Sequence, residues 1–116
     1  MSISENGVPQ ITPDEAAQRV EAGAYLLDVR EDDEWEAGHA PEAHHLPLGR
    51  VQSEHGDLPK DGEIVVICRA GGRSEQAAVA LRSAGYEAIN IAGGMRAWAA
   101  AGLPVAKDDG EVGTVI

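Results

Sequence analysis

The most constraining part of the sequence is the run EIVVIC at residues 63–68, followed at once by a glycine-bearing loop and a helical pattern. Four consecutive apolar residues, 64–67, are typical of a strand that is buried on both faces, as in a parallel sheet. A strand, a short loop and a helix in this order indicate an α/β fold. The segment therefore places Cys68, the single cysteine, at the carboxyl end of a buried strand.

The same alternation of short strands and helices continues along the chain. Strands are predicted at residues 25–29 and 87–92, with a brief extended segment within 43–48. Helices are predicted at residues 13–22, 31–37, 74–84 and 94–101, each followed by a glycine one or two positions on. Residues 49–59 are predicted to be irregular, with one helical turn. This order predicts a parallel sheet with helices on both faces.

Length and charge limit the domain organisation and the class of partner. The 116 residues suffice for one domain, and we expect a flexible N-terminal segment at 1–9, a domain at 10–105 and an acidic C-terminal tail at 106–116. The net charge of −11 argues against nucleic acid or an anionic membrane as partner, because such binding needs Lys and Arg. No signal peptide, membrane helix or disulfide is indicated. A cytoplasmic protein without metal or cofactor is expected.

The loop after Cys68 has the residue types of an anion-binding ring. Its two glycines permit the positive φ values that turn successive N–H groups inward, and its serine begins a helix whose N-terminus favours negative charge. Its two arginines add positive charge. These features lower a thiol pKa, which is ordinarily about 8.5, so Cys68 is predicted to be an ionised nucleophile. The predicted substrate-binding residues are Arg69, Ala70, Gly71, Gly72, Arg73 and Ser74.

A second cluster of charge is predicted at the same edge of the sheet. Asp28 and Arg30 end the strand at 25–29, and ligands of open α/β sheets bind at the carboxyl ends of the strands. We expect both residues to anchor the loop, with Asp28 as a partner for Arg73. His39 is expected to be structural, since it follows the end of the helix at 31–37.

The reaction suited to this loop is one that needs a thiolate and an anion clamp but no proton abstraction. No histidine is placed beside Cys68 by spacing, whereas an ester or amide hydrolase would use one as general base. Attack of the thiolate on a sulfane sulfur fits, with sulfite displaced from thiosulfate and a cysteine persulfide left behind. Attack on phosphorus is a second possibility, because a similar ring holds phosphate.

Four segments in order resemble the signatures of the rhodanese family of sulfurtransferases. They are LLDVR at 26–30 with the acidic stretch through Trp35 and Gly38-His39, LPL at 46–48, CRAGGRS at 68–74, and IAGGMRAW at 91–98 with AGLPV at 101–105. The resemblance covers roughly residues 11–105. Glu42 departs from it, because the family usually has glycine there, and the pair His44-His45 is unusual. Both departures lie away from the loop.

The resemblance implies a single rhodanese-like domain with a five-stranded parallel sheet and helices on both faces. It also implies that Cys68 accepts the sulfur and that the backbone of residues 69–73 cradles it. The six residues from Cys68 through Arg73 match the sulfurtransferases, whereas related phosphatases and arsenate reductases have a loop longer by one. The cationic Arg69 and Arg73 favour thiosulfate over mercaptopyruvate as donor.

The expected partners are therefore a small anionic sulfur donor and an acceptor that is a thiol, cyanide or a protein. The alternative is a non-catalytic or sulfur-carrier module that uses the same pocket to recognise an anionic ligand or a protein partner. The intact cysteine favours the enzyme.

Overall fold

The computed structural model describes residues 2–116, which form a mixed sheet with helices packed on both faces. The strands are β1 (Ser2–Ile3), β2 (Pro9–Ile11), β3 (Tyr25–Asp28), β4 (His44–His45), β5 (Glu63–Ile67) and β6 (Glu87–Ile91). The helices are α1 (Pro13–Glu21), α2 (Asp32–Ala37), α3 (Leu48–Glu54), α4 (Gly72–Ser83) and α5 (Gly94–Ala100), with a 3-10 helix at His55–Asp57. The predicted α/β class is confirmed.

The strand order across the sheet is β1-β2-β6-β5-β3-β4. Five neighbouring strands, β2, β6, β5, β3 and β4, are parallel, as expected. Strand β1 adds a sixth strand that runs antiparallel to β2. The five-stranded expectation is corrected in this respect. A two-residue strand carries no readable alternation, and β1 forms because a turn at Gly7 (φ 81°) folds the segment back on itself.

The N-terminal segment predicted to be flexible contributes β1 and the first residue of β2. Val8 is fully buried in the core, the Ser4 N–H donates to the Val8 carbonyl, and the Gly7 N–H donates to the Ser4 carbonyl. Met1 lies outside the described residues. The flexibility of this segment stays a prediction, and its predicted boundary at residue 10 falls inside β2.

The core has two halves, one on each face of the sheet. Successive strand residues such as Leu26 and Leu27, or Val65 and Val66, point to opposite faces and are buried on both. Leu81 of α4 packs with Leu27 and Val66, and Trp98 of α5 packs with Leu26 and Val65. The central strands are therefore fully covered, as the apolar runs predict.

Two helices differ from the sequence prediction. Residues 48–54 form α3, where only one turn was predicted, because Val51 packs into the core between polar neighbours that hide the pattern. Helix α4 begins at Gly72 rather than Ser74, because Gly71 adopts a left-handed conformation (φ 110°) at its start. Among helices of residues 2–116, none is long and apolar enough to cross a membrane.

The acidic tail, residues 106–116, runs back along the domain. Ala106 exchanges two backbone hydrogen bonds with His39, and the Thr114 N–H donates to the Ala37 carbonyl. The His39 ring bonds to Asp108 at 2.8 Å and stacks on Trp35, consistent with a structural role. The tail thus covers the end of α2.

Candidate active site

Cys68 follows β5 directly and is only 1% exposed. Its carbonyl accepts a hydrogen bond from the Met95 N–H at 2.7 Å, and the Arg69 carbonyl accepts one from the Arg96 N–H at 3.1 Å. Both donors lie in the first turn of α5. The loop is therefore held at its start by β5 and from the side by the N-terminus of a second helix.

The sulfur of Cys68 accepts hydrogen bonds from two neighbours. The Gly71 N–H lies 3.0 Å from Sγ and the Ser74 hydroxyl oxygen 3.2 Å from it. Burial by itself raises the pKa of the Cys68 thiol, but the Ser74 hydroxyl and the amides of Ser74, Gly71 and Ala70 outweigh it and hold the pKa below its ordinary value. The geometry thus favours a thiolate, and it does so through hydrogen bonds.

The two loop arginines are engaged with other groups. Arg73 forms a two-pronged ion pair with Glu34 of α2, with N–O distances of 2.7 and 2.8 Å. The Arg69 Nε–H donates to the Ile116 carbonyl at 2.9 Å. The predicted pairing of Arg73 with Asp28 is wrong, because α2 brings a carboxylate to the loop that the sequence does not distinguish from its acidic neighbours. The charge of Arg73 is accordingly balanced by Glu34, whereas Arg69 remains an exposed cation beside the loop.

Asp28 pairs with Arg30, and both side chains are fully buried. Arg30 donates to both Asp28 carboxylate oxygens, at 2.8 to 3.0 Å, and to the Gly38 carbonyl at 2.8 Å. The pair therefore ties the end of β3 to the end of α2, the helix that carries Glu34. An anchoring role toward the loop stays a prediction, with α2 as the intermediary.

Sequence reasoning missed two side chains beside the loop. Glu34 gave no signal within the acidic run at 31–36. Asn90 did give a signal, because it is the one polar residue in the buried part of β6. In the structure it is only 3% exposed. Its amide bonds to Ser74 and to Gly71, the two residues that donate to Cys68.

The histidines contact groups other than the Cys68 sulfur. His44 stacks on Tyr25, His45 bonds to the Arg30 carbonyl at 2.7 Å, and His55 contacts Tyr86. Within residues 2–116, no group of three or more His, Cys, Asp or Glu is arranged to hold a metal ion. The chemistry that these residues offer is that of one buried cysteine whose sulfur accepts hydrogen bonds from Gly71 and Ser74.

The chain is similar to proteins that are named for sulfur transfer or for carrying sulfur. The Rhodanese-like domain family matches residues 12–101. "Putative sulfur carrier protein YrkF" of Bacillus subtilis is 40% identical over 84% of this chain, which spans 54% of that relative, about half its length. "Putative sulfurtransferase YtwF" of the same organism is 38% identical over 78% of this chain and 90% of its own. A rhodanese-related protein from Thermoplasma volcanium superimposes with a TM-score of 0.80 and 28% identity, covering 84% of this chain and 97% of its own.

Proposed function

The chain belongs to the rhodanese-like domain family, and from that membership we propose that it transfers a sulfane sulfur through a persulfide on Cys68. Relatives are named as sulfurtransferases or a sulfur carrier, which supports partners that supply or accept sulfur. The observation that carries the proposal is the buried Sγ of Cys68, which accepts hydrogen bonds from Gly71 and Ser74. Those donors stabilise the thiolate that a sulfur-transfer reaction uses as nucleophile.

The proposed reaction has two displacement steps. The Cys68 thiolate attacks the outer sulfur of thiosulfate, the S–S bond of the donor breaks, and sulfite leaves with the electron pair. An acceptor thiolate or cyanide then attacks the outer sulfur of the persulfide, and Cys68 leaves as a thiolate. The transferred sulfane sulfur keeps its oxidation state in both steps, so the cycle needs no added oxidant or reductant.

Loop amides are the main candidates for binding the anionic part of the donor. Arg73 is paired with Glu34, whereas Arg69 is exposed and contacts the main-chain oxygen of Ile116 through its Nε–H. Arg69 is therefore the loop guanidinium that can add to the amides in binding an anion. The N–H groups at the start of α4, preceded by Gly71, favour negative charge at the same place. Thiosulfate is thus proposed as a donor, and mercaptopyruvate is the compound to compare with it.

The decisive experiment measures both the persulfide and turnover. We expect the intact mass to rise by one sulfur atom after thiosulfate treatment, and thiocyanate to form when cyanide is added. Cys68→Ser should abolish both while the protein stays folded. A folded wild-type protein that gains no sulfur from thiosulfate or mercaptopyruvate contradicts the proposal.

The same samples distinguish the other candidate functions. A binding module would show anion-dependent thermal stabilisation that persists in Cys68→Ser, with no thiocyanate formed. A phosphatase would hydrolyse an aryl phosphate in a manner that depends on Cys68. Either result in place of sulfur transfer would replace the proposed activity.

A further inference from the structure

Both donors to the Cys68 sulfur are held by one side chain that belongs to neither the loop nor its helix. The Asn90 Oδ1 accepts a hydrogen bond from the Ser74 hydroxyl at 2.6 Å, and its Nδ2 donates to the Gly71 carbonyl at 3.1 Å. Gly71 and Ser74 are the residues whose N–H and O–H groups reach Sγ. A single amide on β6 therefore bonds to both residues that contact the sulfur, to Ser74 through its hydroxyl and to Gly71 through its carbonyl.

The orientation of the Asn90 amide is determined by its surroundings. Asn90 lies in β6, paired in register with Gln10 of β2 and Val66 of β5. Its Nδ2 faces the Gln10 Oε1 at 2.9 Å and the Gly71 carbonyl, which are both acceptors. The donor end of the amide must point to them, so the Oδ1 end is an obligatory acceptor for Ser74.

The Ser74 hydroxyl has one hydrogen and two acceptors within reach. Its oxygen lies 2.6 Å from the Asn90 Oδ1 and 3.2 Å from the Cys68 Sγ, and Ser74 is fully buried. When Cys68 is a thiol, its S–H can donate to the Ser74 oxygen while the hydroxyl hydrogen lies on the Asn90 Oδ1. When Cys68 is ionised, the hydroxyl hydrogen lies between the Asn90 Oδ1 and the sulfur and is shared by both acceptors. In both states Ser74 keeps its hydrogen bond to Asn90.

We propose that Asn90 is a positioning residue for Cys68: it holds the Ser74 hydroxyl directly and, through the Gly71 carbonyl, the backbone that carries the Gly71 N–H, so that both donors stay at hydrogen-bond distance from the sulfur. The charged groups near this network are Arg73, which is paired with Glu34, and Glu75 of α4, which lies 3.4 Å from the Asn90 Nδ2. A role of Asn90 in sulfur transfer rests on the proposed function. Its effect on the Cys68 thiol does not, because that effect is measured without a sulfur donor.

The test is the pH dependence of iodoacetamide alkylation of Cys68, measured without any sulfur donor. Asn90→Ala should raise the thiol pKa by about one unit, because both donors lose their fixed orientation, and so slow alkylation near pH 7 about five- to tenfold. Asn90→Asp keeps the shape and the acceptor for Ser74 but turns an acceptor and a negative charge toward Gly71. It should raise the thiol pKa as well, and it provides the measurement if the alanine variant does not fold.

Matched variants separate positioning from a general loss of stability. Tyr86→Phe removes a 2.6 Å hydrogen bond from the Tyr86 hydroxyl to the His55 carbonyl, at a residue that is 4% exposed and whose hydroxyl bonds outside the loop. It should leave the alkylation profile unchanged. In a Ser74→Ala background, Asn90→Ala should have less effect than in the wild type, whereas Ser74→Thr should retain most of the wild-type pKa.

Two results would overturn the proposal. One is a thiol pKa that is not raised in either Asn90 variant; a lower thiol pKa in Asn90→Ala would mean that Asn90 withdraws the Ser74 hydrogen from the sulfur. The other is full additivity of the Asn90→Ala and Ser74→Ala effects. If the wild type forms no persulfide, the proposed function fails, but these alkylation results still decide the role of Asn90.

Discussion

At the residue scale, the sulfur of Cys68 is controlled by neutral hydrogen-bond donors. The loop arginines, which the sequence suggested as sources of positive charge, bond to Glu34 and to the Ile116 carbonyl. A persulfide formed at this position would keep the same amide and hydroxyl neighbours. The chemistry of the site therefore depends on the geometry of Gly71 and Ser74 more than on net charge.

The Arg73–Glu34 pair gives a prediction about acid stability. The hydrogen bonds from Arg73 lower the pKa of Glu34 from 4.5 to about 2, against the opposing effect of burial. Because the folded state binds the proton more weakly than the unfolded chain, this pair stabilises the fold above pH 4.5 and loses its effect as the pH falls toward 2. Glu34→Gln should lower the free energy of unfolding near pH 7 by about 1–2 kcal/mol, since partial exposure of Arg73 screens the pair.

Urea unfolding from about pH 6 to about pH 3 measures this effect. The difference between wild type and Glu34→Gln should shrink as the pH falls. Glu54→Gln is the matched control, because Glu54 makes an equally short two-pronged pair with Arg50 on the exposed face of α3. Equal effects of the two substitutions would contradict the prediction.

Some single-residue features were readable from the sequence and others were not. The position of Cys68 at a strand end, before a glycine-bearing loop, was readable, because the strand, the glycines and the helix follow one another in the sequence. The partner of Arg73 was predicted wrongly, since the carboxylate that reaches it comes from residue 34, and only the tertiary packing of α2 selects it.

At the element scale, helix α5 supports the loop from the side. Gly94 begins this helix with φ 56°, and a Cβ at Gly94 would overlap the carbonyl oxygen of Cys68 and the backbone of Arg69. The Met95 and Arg96 N–H groups bond to the same two carbonyls. Close approach of α5 to the loop is thus possible only with glycine at 94.

Gly94→Ala should therefore displace the loop. We expect at least a tenfold loss of sulfur transfer and a loss of more than about 2 kcal/mol in the free energy of unfolding. Gly49→Ala in α3 is the control, because a Cβ there meets nothing within 4 Å and alanine favours helix. Unchanged activity in Gly94→Ala would show that α5 does not position the loop.

Predictability of the elements followed their length and pattern. The runs that became β3, β5 and β6 were recognised because three or four buried residues stand together in each. Strands β1 and β2, of two and three residues, were not recognised, because they form through pairing at the sheet edge. Propensity carries no information on such pairing.

At the scale of the whole molecule, residues 106–116 close over the end of α2. Gly38 has an extended backbone there, and a Cβ on it would lie 2.6 Å from the Thr114 nitrogen. Gly38→Ala should thus release the tail without straining its own backbone. The long-range pairing of Ala106 with His39 was beyond sequence reasoning, because neither segment has a strand pattern.

Hydrogen exchange provides the measurement for the tail. In Gly38→Ala the Thr114 and Ala106 amides should exchange at least tenfold faster, since both bond across this contact in the wild type. Gly56→Ala, where a Cβ meets nothing within 4 Å, should leave their exchange unchanged. Equal protection in Gly38→Ala and the wild type would contradict the contact.

The solitary thiol of this chain has a consequence for recovery from oxidation. Cys68 is the one cysteine in the 116 residues, so it has no resolving partner here with which to close an internal disulfide. A sulfenic acid or a mixed disulfide at this position must be reduced by a thiol supplied from solution or from another protein. Because Cys68 is only 1% exposed, small thiols reach it more easily than large ones do. The same burial disfavours a disulfide between two copies of the chain.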